Sequence, residues 1–214
     1  MLIRRFIVPC IAAALLITVT AAQQRDPKQY QQILENPDRL AALQVDRVVE
    51  ALALRPGMRV ADLGAGSGVF TVPLAKAVGP DGRVYPIDID TGLLAIVADK
   101  AKAEGLANVE TVVAGQTDPR LPELVDLIFL CDTLHHLPDQ DSYVRQFAKL
   151  LRPGGRVVVI EFAEGHWPEG HEEFAIRPAQ VDGWMQAAGF RRTARHTFLE
   201  TNFFHVYEPA PGRG

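Results

Sequence analysis

The run Asp62-Leu63-Gly64-Ala65-Gly66-Ser67-Gly68 concentrates residue types that bring a backbone close to a ligand. Gly64, Gly66 and Gly68 lack a Cβ, so the main chain can pass a bound molecule without steric interference, and the helix opening behind them directs N–H groups into a cleft. A glycine loop alone is a weak discriminator, because dinucleotide enzymes use one too. Asp62 is more informative. A carboxylate there opposes a pyrophosphate but can receive the ammonium of an amino-acid moiety, directly or through water. Asp88 falls at the end of the next apolar segment, where a carboxylate can accept two hydrogen bonds from a ribose diol. Asp88 marks a nucleoside without saying which one, and Asp62 favours S-adenosylmethionine (SAM) over NAD. Ile89 is either a surface for an adenine face or plain core. Asp90 reads as the cap of the following helix.

A second group, Cys131, Asp132, Thr133, Leu134, His135 and His136, follows another apolar run. An imidazole titrates near neutrality, so His135 or His136 can serve as a base; alternatively one is packed under the loop and the other solvated. Two adjacent histidines without further ligands do not make a metal site, and none is expected. Cys131 reads as inert packing at a buried strand end rather than a nucleophile. Glu161, Glu164, His166, Glu172 and Glu173 gather in a Gly- and Pro-punctuated loop, read as a solvated acidic segment placed to cover a pocket. Tyr30, ahead of the domain, either folds over the cleft or is a helix-face aromatic.

These groups need a scaffold, and the apolar patterning supplies one. Asn36-Pro37 is an N-cap with Pro at the first helical position, and Leu40, Leu43, Val45, Val48, Val49 and Leu52 continue one helical stripe to Arg55-Pro56-Gly57. Met58 to Leu63 is a strand, Val69 to Val78 a helix, Arg83 to Ile89 a strand, Leu93 to Glu104 a helix and Val109 to Ala114 a strand. Val125 to Cys131 is nearly unbroken apolar, as for a strand buried on both faces of a parallel sheet. Val144, Phe147, Leu150 and Leu151 form the inner face of the next helix. Pro153-Gly154-Gly155 turns the chain into a central strand from Arg156 to Phe162. Pro178 opens a helix with Val181, Trp184, Met185 and Ala188 inward, and Phe190 to His196 and Asn202 to Tyr207 form a closing antiparallel pair. The expected fold class is α/β: a doubly wound, Rossmann-like, mostly parallel sheet with helices on both faces.

With these segments in order, the stretch from Arg55 to Glu161 resembles the class I SAM-dependent methyltransferase family: RVADLGAGSGVFTVPLA, GRVYPIDID, VDLIFLCDTLHHLPD and LRPGGRVVVIEF. The resemblance implies a seven-stranded sheet with an antiparallel last strand. It also implies SAM lying across Asp62, Gly64, Ala65, Gly66, Ser67 and Gly68, with its ribose on Asp88 and its adenine edge near Gly115-Gln116-Thr117-Asp118. Many relatives carry an acid directly after that glycine and this chain has Gln116, so Gln116 and Asp118 share the assignment. The Cys131–Asp132 segment would line the methionine end and the acceptor, a small molecule of unspecified identity. The other readings are a SAM-type fold acting as a binding or structural module and an NAD-dependent oxidoreductase.

The 214 residues are 48% hydrophobic and 22% charged with a net charge of −4, enough for one sizeable core. Scattered Lys and Arg make no basic stripe, so nucleic acid is not an expected partner. Residues 1–22 are a unit apart: Arg4 and Arg5, an apolar run from Phe6 to Val19, then Thr20, Ala21 and Ala22. That is a signal-peptide pattern, cleaved after Ala21 or Ala22 and leading to export, or retained as a membrane anchor. Cys10 lies inside it, so Cys131 would be the one cysteine of the mature chain and no intramolecular disulfide can form. A leader and helix over 23–54, the catalytic-type domain over 55–208 and a disordered tail over 209–214 complete the division.

Overall fold

The computed structural model describes residues 26–212; the signal or anchor reading of residues 1–22 lies outside them. Seven strands alternate with helices: α1 (Pro27–Leu34), α2 (Pro37–Leu43), α3 (Val45–Ala51), β1 (Arg59–Leu63), α4 (Thr71–Val78), β2 (Arg83–Asp88), α5 (Thr91–Ala103), β3 (Val112–Val113), β4 (Val125–Cys131), α6 (Gln140–Val144), α7 (Phe147–Leu150), β5 (Leu151–Phe162), α8 (Pro178–Ala187), β6 (Phe190–His196) and β7 (Asn202–Pro209). The sheet order is β3-β2-β1-β4-β5-β7-β6. β7 runs antiparallel to both of its neighbours, while the pairs from β3 to β5 are parallel. The expected doubly wound sheet with an antiparallel last strand is the one observed. The order reverses between β1 and β4, and the carboxyl ends of these strands are where such sheets open a crevice.

The period-two geometry of strands divides the core into two layers. Ala61 and Leu63 on β1, Ile128 and Leu130 on β4, and Val157 and Val159 on β5 face the layer containing Phe147, Val181 and Met185. Val60, Leu127, Phe129, Val158 and Ile160 face the opposite layer, with Val48, Leu74 and Val78. β4 is therefore apolar on both faces because both faces are covered. No helix among the described residues is long and apolar enough to cross a membrane.

Several local expectations are corrected. The single helix expected after Pro37 is two, because Gln44 takes a left-handed conformation (φ 46°, ψ 52°), and its amide donates to the Phe198 carbonyl at 2.9 Å. A left-handed residue other than Gly, Asn or Asp carries no sequence signal. Helix α1 was not expected: Asp26 caps it, accepting from Lys28 N, with Pro27 at its first turn, but it buries no residue and so shows no core-facing stripe. β3 contracts to two ladder residues plus a bridge between Val84 and Val109, as an edge strand paired on one side only. The helix expected through Leu151 breaks into α6 and α7, and Leu151 instead begins β5 opposite Val125. The chain then bulges through Gly154 (φ 80°) before Arg156 rejoins β4 opposite Leu127. β7 extends through Pro209, and Ala210 N donates to Gly189 O, so order persists into the stretch read as a tail.

Candidate cofactor and acceptor site

A cleft of about 690 Å³ opens at the carboxyl ends of β1, β2 and β4. The glycine loop forms its floor. Gly64, Gly66 and Gly68 all have positive φ (73°, 54° and 80°), and a Cβ on Gly64 would overlap the Thr133 side chain. The loop is thus pressed from below by the β4 loop as well as exposed to the cleft above. Its amides are not free. Gly64 N and Ala65 N both donate to Ile87 O (2.8 and 3.1 Å), Gly68 N donates to Ala65 O (2.9 Å), and Gly66 N donates to Asp88 Oδ2 (2.9 Å). The expectation that the glycines leave N–H groups aimed at a ligand fails for these four, since the loop spends them on its own fold.

Asp88 Oδ1 accepts from Asp90 N at 2.9 Å, so both carboxylate oxygens are positioned by backbone while the group stays half-buried at the cleft wall. Burial pushes its carboxyl above the usual range, against the pull of those two amides. Asp90 is the N-cap of α5, accepting from Gly92 N and Leu93 N. Ile89 is 68% exposed and lines the cleft, so the plain-core reading of it is wrong and a flat apolar surface remains. Gln116 lines the cleft beside Gly115 and Ala114. Asp118 does not: its carboxylate accepts from Arg120 N and its carbonyl from Gly115 N, closing the loop on itself.

Asp62 is 3% exposed at the end of β1, and Thr71 Oγ1 donates to it at 2.6 Å. Burial, reinforced by the charge of Asp88, pushes its carboxyl up to about 7. Asp132 follows β4 with φ 49° and is braced on both oxygens, by Arg39 Nη2 (2.8 Å) and Asn202 Nδ2 (2.7 Å). Its carboxyl is pushed up to about 6, burial outweighing the Arg39 charge. Cys131 also borders the cleft, with burial raising its thiol and so keeping it protonated and unreactive.

The two histidines separate. His135 is buried, and its Nδ1 lies 2.8 Å from Glu161 Oε2. His136 is exposed and lines the cleft. The rings stack at 3.9 Å between centroids, with the Trp167 ring edge-on to His135 at 5.1 Å. Glu161 was read with the solvated acidic loop, which is a correction: it is fully buried on β5, facing the histidine. The loop beyond it supplies His171 and Phe174 to the cleft rim.

Three lining residues from the leading helices, Tyr30, Leu34 and Arg39, complete the wall. Leu34 rests on the loop, its Cδ1 2.8 Å from where a Cβ of Gly66 would be. Lys100 ties the helices down, donating to Glu35 Oε1 (2.6 Å) and Ser67 O (2.8 Å). Sequence reasoning weighed Tyr30 but missed Arg39 and Leu34. The usable signal was Asp26-Pro27, the same cap-and-proline pair that marks α2.

Residues 60–155 match the family model described as methyltransferase domain. The ubiquinone/menaquinone biosynthesis C-methyltransferase UbiE of Vibrio campbellii is 34% identical over 118 residues, 54% of this chain and 46% of that protein. The UbiE of Burkholderia cenocepacia is 30% identical over 132 residues, 62% and 54% of the two chains. The chain spans about half the length of the curated relatives it matches. Among solved structures, a SAM-dependent methyltransferase from Aquifex aeolicus superposes with a TM-score of 0.76 and 25% identity, over 85% of this chain and 97% of that one. The mitomycin 7-O-methyltransferase MmcR shares the fold at TM-score 0.70 and 17% identity, over 87% and 59%.

Proposed function

From a methyltransferase domain over residues 60–155, we propose that this chain transfers a methyl group from SAM to a small-molecule acceptor. The observation that carries the reading is the glycine loop itself. Four of its amides are consumed by Ile87 O, Ala65 O and Asp88, and the carboxylates Asp62, Asp88 and Asp132 border it. A pyrophosphate needs free N–H groups and repels carboxylates, which counts against the NAD reading, whereas an ammonium and a sulfonium gain from both features. SAM, when bound, supplies a methyl on a positively charged sulfur that is a good leaving group.

The residues on hand fit that cofactor. Asp88 keeps a half-buried carboxylate in reach of a ribose diol, Ile89 offers an apolar face and Gln116 an amide edge for the adenine, and Asp62 and Asp132 face the amino-acid end. His136 stands at the acceptor side of the cleft and is the base of choice if the acceptor arrives protonated. Glu161 holds His135 in one orientation beneath it, so His135 acts as a positioning residue. His171 and Phe174 wall the acceptor and shape its specificity. Placement of the acceptor and exclusion of water supply much of the rate.

Export after signal cleavage, or membrane anchoring, is part of the same proposal, resting on the Arg4-Arg5 and Phe6 to Val19 pattern. That pattern also motivates a second reading, a SAM-type fold that binds without methyl transfer, because SAM is made in the cytoplasm. The test is titration calorimetry with SAM and NADH, followed by methyl-labelled SAM offered with extracts fractionated by compartment. Binding of SAM with label entering a small molecule supports transfer. Binding without label transfer favours the module, and binding of NADH alone overturns the proposal.

A further inference from the structure

The cleft wall contains many anionic groups and one permanent cation. Among the described lining residues Asp62, Asp88, Asp90 and Asp132 are carboxylates, and Arg39 alone carries a guanidinium or ammonium. That imbalance suits the positive groups of the cofactor proposed above. It leaves its α-carboxylate without a receiver, because a carboxylate set among four others is repelled. The loop amides do not solve this, since those of Gly64, Ala65, Gly66 and Gly68 are already engaged.

Arg39 is placed to solve it. Its Nη1 donates to Leu34 O and its Nη2 to Asp132 Oδ2, both at 2.8 Å. A guanidinium has five N–H groups in a planar fork, so these two bonds leave donors over while fixing the orientation of the plane. The side chain is 25% exposed, so it is neither sealed in the core nor free in water. Its two anchors also fix where it sits: Leu34 lies on Gly66, and Asp132 follows β4, next to β1 and Asp62. Arg39 therefore lies beside the carboxylates assigned to the ammonium, at the amino-acid end of the cleft.

We propose that Arg39 is the receptor for the α-carboxylate of the cofactor, donating from the N–H groups that Leu34 and Asp132 leave unused. This rests on the SAM reading. It gives the leading helices a binding role. Arg39 would read the amino-acid end of the ligand from α2, and the Arg39–Asp132 pair would present one cation and one anion side by side to a zwitterion. Discrimination then follows: a nucleoside thioether lacking the amino acid gains nothing from Arg39, and one carrying it does.

The experiment compares SAM, S-adenosylhomocysteine and 5′-methylthioadenosine by titration calorimetry on the full chain and on Arg39→Gln and Arg39→Lys. Gln keeps an amide donor for Leu34 O or Asp132 and removes the charge, and Lys keeps the charge without the fork. The expected result is that Arg39→Gln weakens SAM and S-adenosylhomocysteine by about tenfold or more, in line with a lost charge-assisted pair. Arg39→Lys recovers part of that loss, and 5′-methylthioadenosine binds all three proteins alike. Equal losses for all three ligands would show that Arg39 only shapes the cleft and would overturn the inference, as would no loss for any. An unsubstituted chain that binds 5′-methylthioadenosine but not SAM overturns it too. If that chain binds none of the three, the SAM reading itself fails, and a folding defect of one variant leaves the other to decide.

Discussion

Glu161 on β5 accepts from His135 Nδ1 at 2.8 Å with both side chains out of reach of solvent. The pair joins the central strand to the loop after β4, and it fixes which histidine meets the cleft. Removing one partner of a buried ion or charge-dipole pair leaves the other uncompensated, at a cost of about 3–5 kcal/mol. Glu161→Ala should lose about that much in urea unfolding, and Glu161→Gln less, because an amide can still pair with the ring. Unchanged stability in Glu161→Ala would contradict the pairing.

His136 and His135 should respond oppositely to alanine. His136→Ala is expected to leave the unfolding midpoint within about 0.5 kcal/mol, as for an exposed side chain, and to lower kcat by about 10²-fold or more for an acceptor that must lose a proton. His135→Ala should destabilise the fold first. A kcat loss in His135→Ala at full stability, with none in His136→Ala, would reverse the assignment.

The raised carboxyls of Asp62, about 7, and Asp132, about 6, make the ligand-free protein pH-sensitive in a particular direction. In the unfolded chain both groups titrate near 4, so between about pH 4 and 7 the folded state binds more protons than the unfolded one. Their contribution to stability is therefore fully present below about pH 4 and is lost as pH rises through 6 to 7. A ligand bearing an ammonium prefers the ionised forms, so SAM affinity should climb from pH 5.5 to 8 while the intrinsic stability contribution of these two groups falls. Thermal melts with and without SAM across that range measure both. An affinity that is flat with pH would remove Asp62 and Asp132 from ligand contact.

Gly66→Ala tests the packing of the leading helix on the loop. The added methyl meets Leu34 Cδ1 and the backbone is held at φ 54°, so a loss of about 1–3 kcal/mol is expected with faster proteolysis of residues 26–36. Leu34→Ala in the same chain should restore part of it, since the two sites are in contact and couple. Full additivity of the two changes would mean that the contact carries no energy.

Asp88→Ala should weaken SAM by at least tenfold, removing both the ribose acceptor and the partner of Gly66 N and Asp90 N. Asp118→Ala should leave the affinity unchanged, because that carboxylate serves its own loop. Calorimetry on the two variants distinguishes these roles.

The fold class, the strand sequence and the floor of the cleft were legible in the chain alone. Each depends on interactions near in sequence or on periodic burial: Asp62 and the glycines sit on one strand-to-loop junction, Asp88 on the next, and the apolar runs of β4 and β5 announce a sheet covered on both faces. The left-handed break at Gln44 and the exposure of Ile89 were not legible. Neither leaves a mark in local composition.

What only tertiary structure decided is where charges meet across the fold. Asp132 is braced by Arg39 and Asn202 from opposite ends of the chain, and Glu161 reaches back across the sheet to His135. A carboxylate in a polar loop and one buried against an imidazole have the same letter in sequence. Their environments differ because strand register and loop closure, which depend on the whole sheet, determine whether water or a partner satisfies them. For the same reason the glycine loop announced a ligand site from its letters, but only the folded chain showed that its amides are already spent and that its carboxylates define the charge a ligand must bring.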